Sequence, residues 1–244
     1  RLKAQCKKQK EYKADKLKVV SVLREGYANG LFYFDMEYIS GITLAEYMRN
    51  ISLSEIQNLT NLLMEHHSRR NFYDRQAKKI FLKKIKEIEQ KIDLTNSSIK
   101  EAVKILEEYD WSYVIHSNCH GDFTLENMIM ANNSIYLIDF LDSFYDSWQI
   151  DFAKMLQDIE LYWHYRNEKE IDINLALRLL ILKENLIDRV LEMDEGEHLL
   201  ETIYHILLLN VLRIFPYTKE EKTWIFLIAK LDYVKNIIIK KDWL

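Results

Sequence analysis

The sequence has few residues that interrupt regular secondary structure, with one proline and five glycines among its 244 residues. Proline breaks helices and glycine weakens them, so their scarcity favours long helices and excludes a loop-rich or collagen-like chain. Cysteine is equally scarce, because only Cys6 and Cys119 occur and they do not form a metal-binding spacing. Two such residues exclude a disulfide-rich scaffold and predict free thiols in a reducing compartment.

Long apolar runs and concentrated charge are also missing. The longest apolar run, residues 206–209 resumed at Val211, is far short of the roughly 20 residues that cross a bilayer, so no membrane span is expected. No secretory leader is recognisable, and the expected location is cytoplasmic. The net charge of −4, from 34 basic and 38 acidic residues, is spread along the chain, and no basic stripe indicates a nucleic-acid partner.

The composition itself is that of a folded protein, with 48% hydrophobic and 30% charged residues. Helical periodicity occurs along most of the chain: in residues 2–13, 53–70, 73–92 and 97–109, from Trp148 onwards, and through most of 171–244. Residues 18–24 and 31–39 are rich in β-branched and aromatic side chains and predict a hairpin. Three pairs fit capping boxes at helix starts: Thr43 with Glu46, Ser52 with Glu55, and Thr218 with Glu221.

The most informative stretch is residues 120–127, which read HGDFTLEN and are followed by a short strand ending at Asp139. Asp122 precedes Asn127 by the same step as in the kinase loop H-R-D-x-x-x-x-N, with Gly121 in place of the arginine. Asp122 can accept the proton of an attacking hydroxyl, while Asn127 and Asp139 offer hard oxygen ligands for Mg²⁺. A polar turn before a core strand is the simpler alternative, but these groups occur in the order that phosphoryl transfer needs.

Residues 120–139 resemble the aminoglycoside phosphotransferase and choline kinase group, whose loop reads H-G-D-x-x-x-x-N and whose metal site reads I-D-F or I-D-W. The resemblance extends upstream to residues 34–41, FDMEYISG, which look like the hinge of kinase-like folds, and downstream to Asp151 and Lys154. It covers about residues 1–165. Leu141 stands where the kinase D-F-G triplet has its glycine, which is a departure from the protein-kinase pattern.

The resemblance implies ATP and Mg²⁺ as cofactors and a small molecule with a hydroxyl group as the acceptor. Met36 would lie behind the adenine, and the main chain of Glu37 and Ile39 would bond the edge of the base. His120 and Asp151 would support the catalytic loop, with Asp151 accepting backbone N–H groups.

Candidate acceptor contacts are Asp142, Tyr162 and Trp163. Asp142 also fits a further metal ligand or a surface turn, and Trp163 also fits the core. Aromatic faces would suit choline or another amino alcohol by cation–π attraction. The carboxylates of Asp142, Asp146, Asp158 and Glu160 would instead suit the amines of an aminoglycoside. A neutral sugar needs neither feature, so the acceptor stays open between these classes.

The implied fold is α+β, mostly helical and protein-kinase-like. Residues 1–40 would form part of a small N-terminal lobe with the hinge, and residues 41–244 a large helical C-terminal lobe with the catalytic loop. In such a fold the phosphate-covering strands and a nucleotide-binding lysine precede the position of Arg1, so the small lobe is expected to be incomplete. A catalytically inactive nucleotide-binding or scaffolding protein is the alternative function; the joint presence of Asp122, Asn127 and Asp139 favours the enzyme.

Overall fold

Helix is the larger part of a mixed α and β fold, as the sequence predicts. The computed structural model describes residues 1–14, 16–67 and 72–243. The helices are α1 (Leu2–Glu11), α2 (Leu44–Tyr47), α3 (Leu53–His67), α4 (Ala77–Glu89), α5 (Ser97–Glu108), α6 (Trp148–Ile159), α7 (Ile173–Leu191), α8 (Gly196–Leu212) and α9 (Glu221–Lys240). The strands are β1 (Lys18–Val19), β2 (Val22–Ala28), β3 (Leu31–Met36), β4 (Ile42–Thr43), β5 (Phe72–Tyr73), β6 (Ile115–His116), β7 (Met128–Ala131) and β8 (Ser134–Leu137).

A four-stranded sheet in the order β1-β8-β7-β4 joins distant parts of the chain. Its centre is the β7–β8 hairpin, which turns through Asn132 and Asn133, both at positive φ. Asparagine tolerates this backbone region, and two such residues form the turn that matches the twist of a hairpin. Asn127 directly precedes β7 and Asp139 follows β8 by one residue, so the hairpin holds both at the same end.

The predicted hairpin near the N-terminus is confirmed with different boundaries. β2 and β3 pair antiparallel and turn at Asn29 and Gly30, so Gly26 lies inside a strand and not in the loop. Lys18 and Val19 belong instead to β1, which runs parallel to β8. Sequence pattern alone gives the strand character of such a segment but not its partner, because the pairing is made by residues more than a hundred positions away.

Of the three predicted capping boxes, the one at Ser52 is confirmed in full and the one at Thr43 in part, since there only the hydroxyl cap forms. The backbone N–H of Glu46 donates to the Thr43 hydroxyl at 3.2 Å, where α2 begins. At the start of α3 the exchange is reciprocal: the Ser52 N–H donates to the Glu55 carboxylate at 2.9 Å, and the Glu55 N–H donates to the Ser52 hydroxyl at 3.3 Å. Each pair satisfies N–H groups that a helix start leaves without partners.

The third capping box is wrong, because the Thr218 hydroxyl donates back to the Ile214 carbonyl at 3.2 Å and α9 begins only at Glu221. Two predicted helices also shorten. The helix expected over 73–92 is α4, since Tyr73 lies in β5 and pairs with Ile115 of β6. The helix expected over 53–70 is α3, and residues 68–71 lie outside the described part of the chain.

The core is centred on α8, which packs against α6, α7 and α9 and is buried along almost its whole length. By length and composition the segment Gly196–Tyr217 could also cross a membrane, with 78% of its apolar window buried inside the fold. The buried core helix of a folded protein can be equally long and apolar, so length and apolar content do not distinguish a core helix from a membrane span. Two buried polar residues of α8, Thr202 and His205, contact Tyr109 after α5.

His205 shows what this burial implies for stability at low pH. Its ring stacks on Tyr109 with centroids 3.7 Å apart, and its Nδ1 donates to the Glu201 carbonyl at 2.7 Å. Burial lowers the pKa of His205 from 6.5 to about 4. The unfolded chain therefore takes up this proton as the pH falls through 6.5, whereas the folded protein takes it up only near 4. Stability is lost across that window, by about 3 kcal/mol for this one group.

We expect His205→Gln to lose less stability than the wild type when the pH is lowered from 7 to 4.5. Glutamine keeps a side-chain donor for Glu201 but has no group that titrates in this range. Urea unfolding at several pH values measures the difference. His116→Gln, at an exposed position, is the control and should follow the wild type. Parallel pH profiles for wild type and His205→Gln would contradict the expectation.

Candidate active site

The predicted loop makes a tight turn at Gly121, which has φ of +90°. A Cβ atom there would lie 2.2 Å from the Leu141 carbonyl oxygen, closer than any real contact. The approach is held by a hydrogen bond from the Leu141 N–H to the His120 carbonyl at 3.0 Å. Glycine at this position therefore has a steric cause: the loop lies directly against the backbone that follows Asp139.

His120 is fully buried and holds the turn from inside. Its Nε2 donates to the Ile138 carbonyl at 2.8 Å, and its Nδ1 accepts the Asp122 backbone N–H at 3.2 Å. Burial lowers the pKa of His120 to about 4, so the ring is neutral near pH 7, as one donor and one acceptor require. The ring links Asp122 to the strand that leads into Asp139.

Asp151 on α6 fixes the same turn from the other side. Its carboxylate accepts the backbone N–H groups of His120 at 2.6 Å and Gly121 at 2.8 Å, and the Cys119 thiol lies 3.3 Å away. Burial raises the pKa of Asp151 to about 7, while these donors act in the opposite direction. Two turns later along α6, Asp158 accepts the Leu125 N–H at 2.9 Å. Two carboxylates of α6 therefore hold the backbone of the loop.

Asp122 lies at the centre of a small polar cluster. The Asn127 amide donates to the Asp122 carbonyl at 2.9 Å and to its carboxylate at 3.2 Å. Lys154 of α6 places its Nζ 3.2 Å from the other carboxylate oxygen, with a side chain only 16% exposed. Because the Asn127 nitrogen is used by Asp122, its oxygen is the atom that can face a cation.

Asp139 has the features of a cation ligand. Its φ of +57° is uncommon outside glycine and occurs here directly next to the catalytic loop. Desolvation, followed by the negative charges of Asp122 and Glu126, raises the pKa of Asp139, and a bound cation would relieve that repulsion. Among the described residues no cluster of three or more His, Cys, Asp or Glu could hold a metal alone. Two protein oxygens nevertheless fit Mg²⁺, which usually keeps waters and phosphate oxygens as its other ligands.

The predicted hinge follows β3 directly. Met36 ends that strand, and its sulfur lies 3.1 Å from the Gln9 amide nitrogen. The Glu37 N–H donates to the Ser21 carbonyl at 2.9 Å. Within the described part of the chain neither the Glu37 carbonyl nor the Ile39 N–H has a hydrogen-bond partner. Contact of these two groups with a nucleotide base stays a prediction.

Comparison with known proteins identifies the family of the chain. The sequence profile of the phosphotransferase enzyme family, APH, matches residues 11–180, which is more than half of the chain and includes the whole polar cluster. The chain belongs to the phosphotransferase enzyme family. A solved glucosamine kinase (crystal form B) shares the fold with a TM-score of 0.53 at 9% sequence identity. The match covers 83% of this chain and 60% of the glucosamine kinase chain, and no curated protein matched the sequence.

Of the three tentative acceptor contacts, one is an exposed carboxylate and two are aromatic rings next to cations of the protein. Asp142 is exposed beyond β8. α6 ends at Ile159, so Tyr162 and Trp163 lie in the turns after the helix and not on its last turn. The Lys230 ammonium lies 5.2 Å from the Tyr162 ring, and the Arg166 guanidinium lies 4.1 Å from the Trp163 ring. Both rings therefore already contact a cation of the protein itself.

Most of the carboxylates considered for an aminoglycoside are used inside the phosphotransferase fold. Asp146 binds the Lys8 ammonium at 2.8 Å, and buried Glu160 lies 3.5 Å from Lys183. Asp158 is buried and supports the catalytic loop. Engaged and buried carboxylates cannot present charge to an incoming polyamine. Asp142 is exposed, and the Asp146 side chain is 48% exposed although it is paired with Lys8.

A cavity of about 220 Å³ lies on the far side of Lys154. Its walls come from α4, α6 and the end of α8, and include Lys84, Lys91, Arg213 and Asn210. No sequence pattern connects these positions with the site, since they are far apart along the chain and share no motif.

Proposed function

We propose that this protein transfers the γ-phosphoryl group of ATP to a hydroxyl group of a small molecule. The observation that carries the proposal is the arrangement of Asp122, Asn127 and Asp139. Asn127 is hydrogen-bonded to Asp122, and Asp139 lies at the same end of the β7–β8 hairpin. Membership of the phosphotransferase enzyme family supports the reaction type.

In the proposed reaction the acceptor oxygen attacks the γ-phosphorus while the bond between that phosphorus and the β–γ bridging oxygen breaks. The hydroxyl proton passes to the Asp122 carboxylate, and ADP leaves with the bridging oxygen. Lys154, 3.2 Å from Asp122, supplies positive charge beside the reacting groups and limits the positions that the carboxylate can take. Neutral His120 holds the Asp122 backbone without competing for the proton.

Asn127 and Asp139 are proposed to hold Mg²⁺, which would neutralise charge on the phosphates when bound. The adenine of ATP would lie against Met36 and hydrogen-bond the Glu37 carbonyl and the Ile39 N–H. Neither of these main-chain groups has a partner within the described residues. We further propose that residues 1–40 belong to a small lobe with the hinge and residues 41–244 to the helical lobe. Pairing of β4 with β7, which begins directly after Asn127, would then connect hinge and catalytic loop.

The metal role predicts a specific loss in Asp139→Ala. Removal of a ligand should weaken Mg²⁺-dependent ATP binding by at least about tenfold, since even outer contacts of metal sites are worth that much. ATP affinity measured by calorimetry, with Mg²⁺ and with EDTA, tests this for the full-length protein. Asp142→Ala removes an exposed carboxylate three positions later and should bind normally. Equal ATP affinity of the wild type with and without Mg²⁺ would contradict the metal role.

The proposal as a whole is tested by incubating the full-length protein with ATP and Mg²⁺ and a panel of hydroxylated small molecules. Choline, ethanolamine, simple sugars and aminoglycosides are included, and ADP and the phosphorylated acceptor are measured. Transfer to any of them supports the kinase. Nucleotide binding without transfer would favour a catalytically inactive member of the family, and transfer only to a protein would contradict the small-molecule acceptor.

A further inference from the structure

The cavity beside Lys154 is strongly basic in an otherwise acidic chain. Four of its lining side chains are cations, namely Lys84, Lys91, Lys154 and Arg213, and Glu87 is the one carboxylate in the lining. Glu87 is itself 3.3 Å from Lys84 and neutralises part of that charge. The chain as a whole carries a net charge of −4, so this positive charge is local. It continues along α4, where a second, more open cavity is lined by Arg75, Lys78, Lys79, Lys83 and Lys86.

Asn210 adds a second, independent indication of a ligand. The residue is 2% exposed, and its Oδ1 accepts a hydrogen bond from Arg213 at 3.4 Å. Its Nδ2 is buried in the cavity wall without an acceptor among the described residues. A buried donor without a partner costs free energy, and an oxygen of a bound molecule would remove that cost. The cavity thus offers positive charge that suits an anion, and its wall contains a buried N–H donor without a partner among the described residues.

The cavity is also within reach of the chemistry. Lys154 forms part of its wall and at the same time contacts the Asp122 carboxylate. A neighbouring cavity of about 310 Å³ shares Ile214 and Tyr217 with it and extends to Trp163. The cavity therefore shares the Lys154 side chain with the polar cluster around Asp122.

We propose that the acceptor is a hydroxylated compound that carries a carboxylate or phosphate group, and that this group binds between Lys84, Lys91 and Arg213. The proposal rests on the kinase function and names its substrate class. It disfavours choline, because Arg166 and Lys230 already lie against the Trp163 and Tyr162 rings and would repel a quaternary ammonium. Binding of the anion orients the acceptor hydroxyl toward Asp122, and the anionic group itself does not react.

Calorimetric titration of the full-length protein with four related sugars tests the substrate class without ATP. Glucose 6-phosphate and glucuronate are anionic, glucose is neutral and glucosamine is cationic, while all four keep a hydroxylated ring. We expect at least one anionic sugar to bind about tenfold or more tightly than glucose, and glucosamine no better than glucose. The two anionic sugars distinguish phosphate from carboxylate. Equal binding of all four, tightest binding of glucosamine, or no binding at all overturns the proposal.

Variants on α4 locate the binding site. Lys84→Gln should weaken binding of the preferred anionic sugar about fivefold or more, since it removes a charge from the cavity wall. Lys83→Gln makes the same change on the exposed side of the helix and should have no effect. Lys91→Gln, an exposed change at the cavity rim, provides a second test if Lys84→Gln does not fold. Unchanged binding in Lys91→Gln and in any folded Lys84→Gln overturns the assignment.

The nucleotide site must be distinguished from the acceptor site. Repeating the titration with Mg²⁺ and a non-hydrolysable ATP analogue should leave anion binding in place, and displacement by the analogue would assign the cations to the nucleotide phosphates instead. These titrations measure binding and involve no phosphoryl transfer. If the protein bound the anionic sugar but phosphorylated no acceptor, the kinase function would be refuted and the anion-binding site would still be supported. Phosphoryl transfer to choline alone would support the kinase function and refute the anionic acceptor.

Discussion

Asp122→Asn should lower the turnover of the full-length protein by at least about 100-fold while leaving ATP affinity nearly unchanged. The asparagine is isosteric but cannot take the proton of the acceptor hydroxyl. It also leaves Lys154, whose side chain is only 16% exposed, without the charge that it now contacts at 3.2 Å. Initial rates and calorimetric ATP binding, measured on the same preparation, separate the loss of chemistry from a loss of binding.

Glu126→Gln is the control for Asp122→Asn, because it removes a carboxylate from an exposed position of the same loop. It should cost less than about tenfold in turnover, since Glu126 acts on the site only as a neighbouring charge. If Asp122→Asn turned over at the wild-type rate, Asp122 would not be the base. If instead it lost ATP binding and turnover together, its role would lie in nucleotide positioning.

Gly121→Ala should be among the most damaging substitutions in the chain. The φ of +90° disfavours any side chain, and the new Cβ would lie 2.2 Å from a backbone oxygen that cannot move without displacing Leu141. We expect the free energy of unfolding to fall by about 3 kcal/mol or more. A shift of about 1 Å in the attached Asp122 would cost on the order of 100-fold in turnover as well.

Gly30→Ala separates the two causes. Gly30 also has positive φ, +78°, but no atom lies within 4 Å of the Cβ position. It should cost only the backbone strain, about 1–2 kcal/mol, and leave turnover unchanged because it lies in the β2–β3 turn. Urea unfolding of both variants gives the comparison. Equal losses of stability would mean that the contact with Leu141 contributes nothing.

The candidate catalytic loop could be located from the sequence because its residues are close together along the chain. Asp122 and Asn127 are five positions apart, and both they and Asp139 lie on one continuous loop and hairpin. The structure adds the cause of the spacing: Asn127 hydrogen-bonds Asp122 across the short turn. Local rules were enough for the caps of α2 and α3 for the same reason.

Contacts made by distant residues were not predictable from the pattern. In the sequence, Lys154 was only one of the downstream residues covered by the family resemblance, and it had no assigned role. Its contact with Asp122 depends on how α6 packs against the loop. Lys84 and Arg213 approach the same cavity from α4 and the end of α8, and as single basic residues they resemble any solvated charge. Asp158 looked like an exposed acid but is buried and supports the loop, because α6 has no solvent-facing side at that turn.

Asp151 and Asp158 attach the catalytic loop to α6 through its backbone, whereas the basic cavity takes most of its charge from α4 and the end of α8. Substitutions at Lys84 or Lys91 therefore change the cavity without altering any bond that holds Asp122. During divergence, acceptor choice can change on one set of helices while the reaction is retained on another. Under the proposed function the HGD loop does not identify the acceptor, and the charges at Lys84, Lys91 and Arg213 are the positions to compare between relatives.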